Sequence, residues 1–79
     1  MGDFNAIPLY KLLSEAAKRH GDEVVWIIGA YEERTMAMEA ERYANESANM
    51  ITTRPLVAAD NLERCALIAL SLAKKLREK

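Results

Sequence analysis

Side-chain catalysis needs a nucleophile beside a base, or several ligands that converge on one point, and this sequence offers few such sets. Its one imidazole, His20, follows Lys18 and Arg19. A histidine that activates Ser or Cys must lie within hydrogen-bond reach of it, whereas His20 falls where a helix is expected to end and reads as a solvated C-terminal residue. The one cysteine, Cys65, lies within an apolar run, which suits a small buried hydrophobe better than a reactive thiol. One Cys and one His fall short of the four ligands of a structural zinc site. Glu32, Glu33, Glu39, Glu41 and Glu46 are numerous, but the Glu-x-x-His pair of di-metal bundles is missing, so they read as solvated surface. No glycine-rich loop is present to cradle phosphate. We therefore expect no catalytic residue, no cofactor and no metal, hence a protein that is not an enzyme.

The elements that hold these residues are read as helices. The first is expected from about Ala6 to His20, capped by Asn5, with Pro8 in its first turn and Gly21 as its stop. Leu9, Leu12, Leu13, Ala16 and Ala17 follow helical spacing. A second helix is expected from Asp22 to about Ile51. Its latter half is the clearest signal: Met36, Ala40, Tyr43, Ser47 and Met50 recur four and three apart, with Glu39, Arg42, Glu46 and Asn49 opposite. The run Val24-Val25-Trp26-Ile27-Ile28 is β-branched and aromatic, so a strand is the alternative there. Helix is preferred, because a lone strand has no partner and no Asn-Gly-type hairpin signal occurs. Residues 52 to 59 read as a connection, with Thr52-Thr53 in a turn and Pro55 ending any continuation. Asp60-Asn61-Leu62-Glu63 has the form of a capping box, so the third helix is expected from Asn61 to about Glu78.

Assembly follows from size and from that third helix. Residues 1–79 make one domain, and a chain of this length buries only roughly 60% of its unfolded surface. Without disulfides or metal, a second subunit is the remaining source of stability. From Cys65 to Ala73 only Ser71 is polar, and a helix apolar nearly all round must be covered all round. The expected fold is thus all-α: three helices per chain, paired through helices two and three into a bundle-like homodimer. Met36, Ala40, Tyr43, Cys65, Ile68, Ala69, Leu70, Leu72 and Leu76 are the candidates for that dimer interface.

Composition narrows the partners. The net charge is −1 with both signs interspersed, which gives no basic field for nucleic acid. A helix-turn-helix at residues 9 to 34 would place an apolar, acidic segment in the major groove, so a small DNA-binding regulator ranks last. No apolar stretch approaches the roughly 20 residues of a membrane span. Met1-Gly2-Asp3-Phe4-Asn5 lacks the features of a signal peptide, so a cytoplasmic location is expected. Trp26, Tyr31 and Arg34 are of the types enriched at interface hot spots. With Tyr10, and with Phe4 and Leu9 near in sequence, they are the candidates for binding a larger cytoplasmic protein. The expected function is a small regulatory module of bacterial or phage type that modulates or inhibits that protein.

The run Ala69-Leu70-Ser71-Leu72-x-x-x-Leu76 resembles the signature helix of the ZapA family of bacterial Z-ring-associated division proteins. Upstream, Glu32-Glu33-Arg34, Arg42-Tyr43 and Ala58-Ala59-Asp60 occupy places similar to those in that family's preceding helix and loop, so that the resemblance spans about residues 32 to 76. It implies a helical dimer built around the third helix. It makes a cell-division adaptor the first alternative function.

Overall fold

The computed structural model describes residues 8–79, and the chain forms three helices there with no strand among the described residues. Helix α1 spans Leu9–Ala30, α2 Glu33–Met50 and α3 Pro55–Arg77. The expected Asn5 cap and Ala6 start lie outside the described residues. Within them, α1 begins behind Pro8, whose φ of −62° is already helical and whose carbonyl accepts from the Lys11 amide at 3.1 Å.

Gly21 does not stop α1, contrary to expectation. The reason is the burial pattern: Ala16, His20, Val24 and Ile27 form one buried stripe, four and three apart, that passes straight through Gly21. A glycine costs a helix interior about 1 kcal/mol relative to alanine, and one continuous apolar face outweighs that. The β-branched run is accordingly helical, with Val24 and Ile27 inside and Val25 and Trp26 outside. The real break comes at Tyr31 and Glu32, both extended (ψ 145° and 168°). The expected second helix is therefore cut into the last part of α1 and the whole of α2.

Met36, Ala40, Tyr43 and Ser47 form the buried face of α2, as the periodicity predicts. A turn over residues 51–54 follows, closed by the Arg54 amide donating to the Met50 carbonyl at 2.8 Å. Pro55 then starts α3 rather than merely ending what precedes it. Its missing N–H costs nothing in the first turn of a helix. The Asp60–Glu63 segment is consequently helix interior and not a cap, and Asn61 within it is buried.

Helix α3 is the centre of the molecule, with α1 and α2 each packing mainly on it rather than on each other. Val24 and Ile27 of α1, Met36, Ala40 and Tyr43 of α2, and Ile68 of α3 make one core, flanked by Ile28, Tyr31, Cys65, Leu67 and Leu72. Met36 and Ile68 are completely enclosed. Polar groups that enter this core are satisfied. The Ser47 hydroxyl sits 2.8 Å from the Tyr43 carbonyl and 3.1 Å from that of Ala58, so that one proton ties α2 to α3. The Tyr43 hydroxyl donates to Glu23 at 3.3 Å, and Arg64 donates to the same carboxylate at 2.9 Å and to Asn61 at 3.0 Å. Burial, then the charge of Glu23, pushes the Tyr43 phenol above its ordinary value.

Candidate functional site

The residues expected at a dimer interface divide into two groups. Met36, Ala40, Tyr43 and Ile68 are buried in the core of the single chain and present almost no surface to a second copy. Cys65 and Leu72 are partly buried against that same core. Ala69, Leu70 and Leu76 remain exposed. The expected interface residues on α3 straddle two adjacent rows of that helix. The inner row is Asn61, Cys65, Ile68 and Leu72, which faces the rest of the chain. The outer row is Leu62, Ala66, Ala69 and Ala73, shifted by one residue and so rotated about 100° around the helix. Leu70 lies beside it, and Leu62 and Leu70 are 48% and 53% exposed.

The start of α1 adjoins this outer row. Leu9, Leu12 and Leu13 extend the Ala16–Ile27 stripe past the point where α3 covers it, and Leu9 is 60% exposed. Leu12, Leu13 and Ala16 face Leu62 and Ala66 across an open groove, with Arg19 and Glu63 at its edge. The exposed apolar surface is thus contiguous, drawn from two helices and rimmed by charge.

The expected partner-binding residues do not form one patch. Trp26 and Tyr31 meet edge-to-face, with ring centroids 5.8 Å apart, and Arg34 is exposed in the first turn of α2. Tyr10 is exposed as well, but it lies 16 residues before Trp26 on the same helix, about 24 Å away and nearly on the opposite side. Phe4 falls outside the described residues.

His20 is where sequence and structure differ most. It is buried in mid-helix, not solvated at a helix end, because α1 continues beyond it. Its Nε2 is 2.8 Å from Oε1 of Glu63 and 3.5 Å from Oδ1 of Asp60. Arg19, half exposed, pairs with both oxygens of Glu63, with Nε donating to Oε1 at 3.0 Å. Those hydrogen bonds hold the Glu63 carboxyl below the usual carboxylate range, against the opposing effect of burial and with help from His20. Two signals in the sequence point to this cluster. His20 is in phase with Ala16 and Val24, and Asp60 and Glu63 are three apart, which on a helix places them on one face.

The opposite surface is the solvated one. On α2, Arg42 donates to Glu39 at 2.9 and 3.1 Å and to Glu46 at 2.9 Å, a ladder of the kind an exposed helix face carries. No described helix is long and apolar enough to cross a membrane.

Comparison with known proteins adds no relative. No family model, curated protein or solved structure matches this chain. The likeness of the third helix to the ZapA signature therefore rests on its own few residues.

Proposed function

We propose that this chain is a non-enzymatic, cytoplasmic interaction module that pairs with a second copy and docks on a larger protein to modulate or inhibit it. The observation that carries this reading is the uncovered apolar face of α3, continuous with the overhanging stripe of α1. Contiguous apolar surface rimmed by polar residues marks interaction sites. The small residues Ala66, Ala69 and Ala73 allow a facing helix to approach closely, and Leu62 and Leu70 supply area around them. A two-fold arrangement, which sets the same face against itself, is the simplest way to cover it. The edge-to-face pair Trp26 and Tyr31 stays available for the larger partner, and side chains of these types suit such a contact.

If folding and pairing are linked in this way, the thermal midpoint depends on protein concentration by mass action. Melting followed by circular dichroism over a hundredfold range of concentration should show the midpoint rising. A midpoint independent of concentration would remove the support for self-association.

A further inference from the structure

We propose that His20, Asp60 and Glu63 form a binding site for a divalent transition-metal ion, with Zn2+ as its best-suited occupant. One donor atom from each residue lies within 4.8 Å of the other two. Donors bound at about 2.0–2.2 Å in a tetrahedral site lie about 3.3–3.6 Å from one another. Of the separations from His20 Nε2, 3.5 Å to Asp60 falls in that range, and 2.8 Å to Glu63 is shorter, so Glu63 has to draw back by about 0.5 Å to admit an ion. The site is also held in place before any ion arrives. His20 has a side chain only 6% exposed, on the core stripe of α1, while Asp60 and Glu63 stand on one face of α3. Asp60 is half exposed, which gives an ion a route in and leaves room for water as the fourth ligand.

The donor set selects the class of ion. An imidazole nitrogen favours zinc and its neighbours over the hard cations Mg2+ and Ca2+, which take oxygen ligands. The ion would take the place of the hydrogen bond between Nε2 and Glu63, so the binding form is a neutral imidazole that carries its one proton on Nδ1. Arg19 is the natural competitor, because it holds both oxygens of Glu63. On ion binding it keeps Oε2, as an outer partner of the ligating carboxylate, and its half-exposed side chain is free to give up Oε1.

The test is calorimetric titration of the full chain with zinc chloride, paired with Co2+ titration followed by visible absorption. The wild type is expected to bind one ion per chain and to give the strong visible bands of low-coordinate cobalt. His20→Gln and Asp60→Asn are each expected to weaken binding at least about tenfold. Asp60 is half exposed, so the second variant keeps the fold and the experiment stays decisive if the first does not. Failure of the folded wild type to bind either ion would overturn the proposal. So would binding that persists undiminished in Asp60→Asn, which would put the ion elsewhere.

Discussion

Glu63 and Ser47 are among the single residues that tie the helices together. The folded value of the Glu63 carboxyl is lowered chiefly by the hydrogen bonds from Arg19. Its contribution is therefore complete at neutral pH, above the ordinary carboxylate value of about 4.3, and is lost as pH falls from there through the lower folded value. Acidification should lower the melting temperature of the wild type more steeply than that of Glu63→Gln. Equal slopes would mean that the Arg19–Glu63–His20 cluster contributes nothing to stability. Ser47 is almost wholly buried, and its hydroxyl bridges the carbonyls of Tyr43 and Ala58. Removing such a bond costs about 1 kcal/mol, so Ser47→Ala should lower the melting temperature by about 4–8 °C. A variant as stable as the parent would show that the bridge between α2 and α3 is energetically idle.

At the level of elements, the decisive question is why the first break falls at Tyr31 and not at Gly21. Gly21 has no positive φ, and a Cβ built on it meets nothing within 4 Å. Gly21→Ala should therefore stabilise the chain by about 0.5–1 kcal/mol, through helix propensity alone. If Gly21 were a left-handed helix stop, the same substitution would destabilise it, so a melting curve separates the two. The buried face of α2 was legible because Met36, Ala40, Tyr43 and Ser47 keep one phase over three turns. Helix ends were not, because the signals of glycine, proline and capping are local, whereas the ends are decided by burial against other helices. Gly21 itself faces open space, but it lies between His20 and Val24, two members of a buried stripe that runs on past it. Pro55 and the Asp60–Glu63 box each have the form of a start, and the earlier one prevails because Ala58, between them, is needed against Ser47. The same mistake about α1 hid the His20 cluster, since a histidine at a helix end has no reason to face Asp60 and Glu63.

For the whole molecule, one helix serves two surfaces. The inner row of α3 completes the core of the single chain, while the outer row stays uncovered together with the start of α1. Substitutions on the two rows should consequently behave differently. Ile68→Glu buries an unpaired charge in a fully enclosed site and should unfold the chain. Leu70→Glu places its charge on the half-exposed rim, so it should leave each chain helical while separating the copies. The most direct measurement is sedimentation equilibrium of the wild type and Leu70→Glu at matched concentrations, with helicity checked on the same samples. A dimer mass for the wild type and a monomer mass for a helical Leu70→Glu is the predicted result. A wild type that sediments as a folded monomer at the highest concentration reached would contradict the account.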